Sequence, residues 1–185
     1  MRSKGHAMRW LLISQNIVLF GAGMVFPYYV IFIKEAGGTY VSFGFAYAFF
    51  ALSSAGAHYF AGTLTDRFGR SIFLALSSWG MAFSLVFFPS VTSMYQIFIL
   101  QVVMGVCNAF QKTSEKALVA DMTFAEGRGR QIGNYHMWTA IVSALAVIGA
   151  GYTIDILSLD VIFYTASLFM FIGGFASLKI GEKTL

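Results

Sequence analysis

The chain has 185 residues, of which 58% are hydrophobic, 17% aromatic and only 11% charged, against roughly 25% charged in an ordinary soluble domain. Its 12 basic and 8 acidic side chains cannot cover the surface of a soluble fold of this size, which makes the bilayer the natural solvent. Six spans of about 20 residues each use roughly 120 positions, and this excludes a built-in ATPase, a large catalytic domain or a nucleic-acid-binding module.

Apolar stretches follow one another at 10–33, 40–61, 72–88, 95–119, 132–154 and 161–180. They predict an all-α integral membrane fold, one six-helix domain over residues 1–185. Short separators with turn or charge signals divide them: Lys34 to Gly38, Asp66 to Arg70, Pro89-Ser90, Asp121 to Arg130 and Asp155 to Asp160. The first stretch is longer than the apolar core of a secretory signal and contains Pro27, so it reads as a retained helix. With the N-terminus placed inside, only Lys34 of the 12 Lys and Arg falls in an outside loop, so both termini are expected in the cytoplasm and the chain in the plasma membrane. The single Cys107 allows no intrachain disulfide.

The second stretch exits through Ala61-Gly62-Thr63-Leu64-Thr65-Asp66 and the fifth through Ala150-Gly151-Tyr152-Thr153-Ile154-Asp155. Both read Ala-Gly-x-x-x-Asp at the end of the middle helix of a three-helix set, and the two sets face opposite ways. That is the pattern of a three-plus-three inverted repeat.

The segment after the second stretch reads Gly62-Thr63-Leu64-Thr65-Asp66-Arg67-Phe68-Gly69-Arg70-Ser71. Gly62 permits close helix approach, Gly69 permits a turn, and Asp66 between Arg67 and Arg70 forms a charged latch at the interface. This segment resembles the Gly-x-x-x-Asp-Arg-x-Gly-Arg signature that the major facilitator superfamily carries between its second and third helices. Ser71 stands where the family commonly has another basic residue. Asp121 followed by Glu126-Gly127-Arg128-Gly129 resembles the family's segment after helix four. The resemblance runs from helix one to helix six and corresponds to the amino-terminal half of a twelve-helix plan. It implies that Asp66 holds a helix end of a second six-helix bundle, that Arg70 pairs with Asp121, and that this second bundle, another copy or a separate half, is required for alternating access.

Polar residues inside the spans mark the candidate cavity. Gln101, Asn108, Lys112 and Glu115 recur on one face of helix four, with Gly105 on the same line. Charges at membrane depth are costly and turn toward protein or water. Gln15 and Asn16 on helix one and His136 on helix five are placed in the same cavity, while His58 is assigned a packing role. Drug antiporters of the family commonly have Arg where Gln101 stands, and many have an acid on helix one, where this chain has none before Glu35. Glu115 is then the carboxylate within a span that is able to take a proton, with Lys112 one turn away.

Small residues on helices two and five, among them Ala51, Ala55, Gly62, Ala146, Ala150 and Gly151, point to contacts between bundles, and helices three and six to lipid. The resulting expectation is a secondary transporter for a small solute, a drug or a sugar, with a proton as candidate coupling ion. No motif calls for a cofactor, a metal or enzymatic chemistry, and Lys183-Thr184 lacks the glycine spacing of a phosphate loop. The rival expectations are a non-transporting six-helix product acting by association, and the membrane half of an ATP-driven exporter, against which the short loops argue.

Overall fold

In the computed structural model, which describes residues 2–124 and 126–181, seven α-helices build six spans. These are α1 (Arg2–Val25), α2 (Tyr29–Glu35), α3 (Tyr40–Phe68), α4 (Arg70–Phe87), α5 (Met94–Met122), α6 (Arg128–Ile156) and α7 (Leu159–Leu178). No strand occurs among the described residues. Lys183 and Thr184 lie outside them, as do the side chains of Arg2 and Lys4.

Local chemistry explains the breaks. Pro27 cannot donate to the preceding turn, and the first span changes there from α1 through a 3₁₀ turn, Phe26–Tyr28, into α2. Pro89 ends α4 in the same way, inside the 3₁₀ turn Phe88–Ser90. At the start of α3, Thr39 and Ser42 exchange side-chain and backbone hydrogen bonds in a capping box. Between α3 and α4 only Gly69 is non-helical; its φ of 104° suits a residue without Cβ.

The helices overrun the apolar stretches that mark them in the sequence. α3 continues to Phe68, not 61, and α4 starts at Arg70, not 72; α5 runs to Met122 and α6 over Arg128–Ile156. An apolar stretch ends where the hydrocarbon ends, while backbone hydrogen bonding goes on through the interface until a glycine or a cap stops it. Gly62 to Phe68 therefore form the last turns of α3, and Asp121 is helical too.

α3 packs on α5, α1 on α6 and α7, and α4 on α5 and α7. Exchanging the first three spans with the last three maps this set of pairs onto itself: α3 with α5 becomes α6 with α1, α1 with α7 becomes α5 with α4, and α4 with α7 returns to itself. Without a hydrophobic drive between helices in lipid, close approach depends on small residues at the crossings. A Cβ on Gly105 of α5 would meet Ser53 Oγ and the Phe50 carbonyl of α3, and one on Gly23 of α1 would lie 3.0 Å from the Ser143 carbonyl of α6. These two crossings exchange under the same operation.

α4 and α7 are the most enclosed pair. Ser167 donates to the Ala82 carbonyl at 2.8 Å and Trp79 Nε1 to the Phe171 carbonyl at 3.1 Å, while Phe83, Phe87, Phe171 and Phe175 cover their outer faces. α3 and α6 are mostly exposed. Gly62 has nothing within reach of a Cβ, so inside this chain it serves no close approach and its place is on an uncovered face.

Candidate functional site: a cavity and a charged latch

A cavity of about 420 Å³ opens between α1 and α5 in the half of the bundle away from Asp66. The kink at Pro27 forms part of its wall, with Phe26, Phe43, Phe50, Phe88, Met81 and Met104 around it. Two amides enter this apolar surface. Gln101 is buried, and Asn108 Nδ2 donates to Ser54 Oγ of α3 at 3.1 Å, leaving its oxygen able to accept. The volume and the few polar groups are those of a small-molecule pocket.

The remaining candidate cavity residues do not share it. Gln15 is enclosed between α1, α4 and α5, where it accepts from Gln111 Nε2 at 3.0 Å; Gln111 Oε1 in turn accepts from Ser77 Oγ at 2.5 Å and from Ser78 Oγ at 3.3 Å. The three helices thereby satisfy part of one another's polar groups, while Gln15 Nε2 is buried without a hydrogen-bond partner. Asn16 beside it is half-buried and lines no part of the cavity. His136 is exposed, with its ring edge against Tyr135 at 5.4 Å between centroids, so it belongs to the outer surface of α6. His58 shares a 3.0 Å hydrogen bond with Thr113 across α3 and α5.

Lys112 and Glu115 form a separate group nearer the Asp66 end. Lys112 Nζ donates to Glu115 Oε2 at 3.0 Å, and Tyr135 Oη of α6 donates to Glu115 Oε1 at 2.7 Å. The Glu115 side chain is 8% exposed and that of Lys112 40%. The pair thus has one enclosed member and one member that reaches solvent or headgroups. Helix four's polar face divides accordingly: Gln101 and Asn108 turn to the cavity, Lys112 and Glu115 to this inner group.

At the end of the bundle Arg70 joins two acids. It donates through Nη2 to Asp66 Oδ1 at 2.7 Å, one turn back across Gly69, and through Nη1 to Asp121 Oδ2 at the end of α5. The turn at Gly69 brings the start of α4 against α5, and this is what makes the second contact possible. Arg67 lies apart, its guanidinium over the Phe68 ring. Asp66 and Asp121 have half or more of their side-chain surface exposed. Such a cluster is cheap to open, because exposed ion pairs contribute only about 0–1 kcal/mol.

Three functional groups were not singled out from sequence. Tyr135 lies one position from His136, and only the phase of α6 against α5 decides which of the two faces Glu115. Gln111 and the Ser77-Ser78 pair sit in apolar runs at spacings that also suit packing residues.

Comparison with known proteins gives the family. The family model of the Major Facilitator Superfamily matches residues 11–183. The uncharacterized MFS-type transporter YitZ of Bacillus subtilis is 41% identical over 164 residues, which is 89% of this chain and 100% of that protein. The multidrug resistance protein MdtG of Proteus mirabilis is 27% identical over 83% of this chain, and the chain matches 40% of its length. Multidrug resistance protein 1 of B. subtilis is 26% identical, with 82% of this chain matched to 38% of that protein. A single family model over nearly the full length, on a bundle of six helices apolar enough to span a membrane, makes the chain a multi-pass membrane protein that belongs to the major facilitator superfamily.

Proposed function

We propose that this chain is one six-helix bundle of a secondary transporter that moves an amphipathic small solute by alternating access. The cavity carries the reading. Its aromatic and methionine walls suit the flat body of such a solute through dispersion and ring contacts, and Gln101 and Asn108 orient a polar tip without requiring a charge. A sugar would need many more hydrogen-bond partners than two amides, so the drug-type solute fits better. The multidrug resistance relatives point the same way.

Access from the other side requires the Asp66 end to open. Arg70 is the movable member of that end: released from Asp121 it stays hydrated at small cost, and the Gly69 turn lets α3 and α4 shift against α5. The distribution of Lys and Arg supports a cytoplasmic position for this latch. Glu115 is the coupling group in this scheme. Protonation neutralises it against Lys112 on its own helix and changes how it holds Tyr135 of α6, so proton binding bears on the contact between the two helices.

Everted membrane vesicles containing the chain test the reading, with ethidium as the probe. The expected result is energy-dependent ethidium uptake that Asn108→Leu weakens and Glu115→Gln makes insensitive to pH. Uptake equal to that of vesicles without the chain would refute the transport reading, and retained pH dependence in Glu115→Gln would exclude Glu115 as the coupling acid.

A further inference from the structure

We infer that the cavity reads its solute at two ends: it takes a flat aromatic body with an N–H donor at each of two points about 10 Å apart, and Tyr29 is a recognition residue at one of them. This rests on the transport reading above and names the class of solute that the reading leaves open.

Tyr29 begins α2 just beyond the kink at Pro27, and the residue, 8% exposed, lines the cavity. Its Oη is buried and makes no hydrogen bond of ordinary geometry, although the Gln101 amide stands beside it. Buried hydroxyls nearly always have a partner, so one left open on a cavity wall is a place for a ligand atom. The ring itself is fixed by Phe32, Phe43 and Phe88, whose centroids lie 6.2, 6.0 and 5.9 Å away. The hydroxyl is therefore in position before a solute arrives, and little ordering remains when one binds.

The second end is Asn108. Its Nδ2 is committed to Ser54 Oγ, so what it offers the cavity is Oδ1, an acceptor only. Gln101 and Asn108 are seven residues apart on α5, about 10 Å along its axis, and both line the cavity. Met104 lies between them in the chain, and Met81 of α4, Met170 of α7 and Phe50 of α3 add apolar surface from three other helices. The remaining hydroxyl side chains of the lining stand off α5: Tyr47 is half exposed on α3, and Ser143 of α6 packs against Gly23.

Two accepting ends separated by apolar surface set the shape of the solute. The Asn108 end requires a donor, since a carbonyl or ether oxygen there would face Oδ1 with no proton between them. At the other end Tyr29 Oη and the Gln101 amide oxygen accept the two N–H groups of one primary amine. A solute whose donors stand much closer together leaves one end of the site desolvated and unpaired, and that loss is what makes buried hydrogen-bonding sites selective. No described side chain of the lining carries a charge, so a cationic centre meets ring faces and thioethers, and the site reads donor spacing and not net charge.

The test uses the purified full-length chain in detergent micelles. Its probes are ethidium, which carries an aromatic amino group at each end of its ring system, and derivatives of the same permanent charge that lack one or both of those groups. Fluorescence titration should give a dissociation constant about tenfold higher for each amino group removed. An isomer with both amino groups at one end should bind like the derivative that has one. Asn108→Leu should raise the constant for ethidium about tenfold and leave that of the one-amine derivative within about twofold, because the remaining amine has the Tyr29 end to use. Tyr29→Phe should weaken ethidium severalfold and leave the ligand-free bundle as stable as the parent or more so, which a packing role for the hydroxyl would not give. Equal binding of ethidium and both derivatives while ethidium transport persists would overturn the two-ended site and leave the transport reading standing. That comparison needs no variant, so it holds even where a substitution prevents folding. The graded series without ethidium uptake in vesicles would support the site and remove the transport reading.

Discussion

Replacing Glu115 by Leu tests the inner polar group. Leu is close to Glu in size, so the loss is chemical: Tyr135 Oη, 2.7 Å from Glu115 Oε1, is left as a buried donor without a partner. An orphaned buried polar group costs about 1–3 kcal/mol. Lys112 adds little, because its side chain is 40% exposed and is able to rehydrate. Glu115→Leu should therefore destabilise the bundle by about 2 kcal/mol, and Tyr135→Phe by about 2 kcal/mol, since it leaves the enclosed Glu115 Oε1 without its donor. The double variant should be less destabilised than the sum by about 1–2 kcal/mol, because the orphan is gone. Glu115→Gln keeps an acceptor for Tyr135 and should stay within about 1 kcal/mol of the parent. Equilibrium unfolding in mixed micelles of dodecyl maltoside and dodecyl sulfate measures all four proteins. Strict additivity of Glu115→Leu and Tyr135→Phe would refute the coupling on which the proposed role of Glu115 depends.

Gly105→Ala should cost about 1–3 kcal/mol in the same assay, because the new Cβ falls on the Phe50 carbonyl and Ser53 Oγ and α3 must move away from α5. Gly62→Ala, where a Cβ meets nothing, should leave the stability of the isolated chain unchanged or slightly raised. Asp121→Asn should change stability by less than about 1 kcal/mol, the carboxylate being half exposed, yet reduce ethidium uptake severalfold; equal uptake by Asp121→Asn and the parent would remove the latch from the mechanism.

Much of the fold was legible because a bilayer leaves few options. Apolar stretches of this length form helices, and Pro27, Pro89 and Gly69 stand where the backbone changes course. Helix ends were less legible, since Thr63, Thr65, Asp66 and Arg67 look like a loop by composition but complete two further turns of α3 in the interface. The ion pairs of Arg70 followed from its resemblance to a family signature. The inner sites were harder. A polar residue at depth signals that a partner exists, but whether Gln15 meets water or Gln111 depends on how α1 turns against α5, and neither helix records that rotation in its own sequence. His136 shows the same limit in reverse. It was assigned by its stripe on α6, and the structure gives the inward position to its neighbour Tyr135.

The central claim is that this chain forms a transporting bundle. Purified chain, reconstituted without any other protein into liposomes with an imposed pH gradient, tests it through the time course of ethidium uptake. The expected result is gradient-driven uptake that falls severalfold in Asp121→Asn. Uptake no faster than in protein-free liposomes would contradict it.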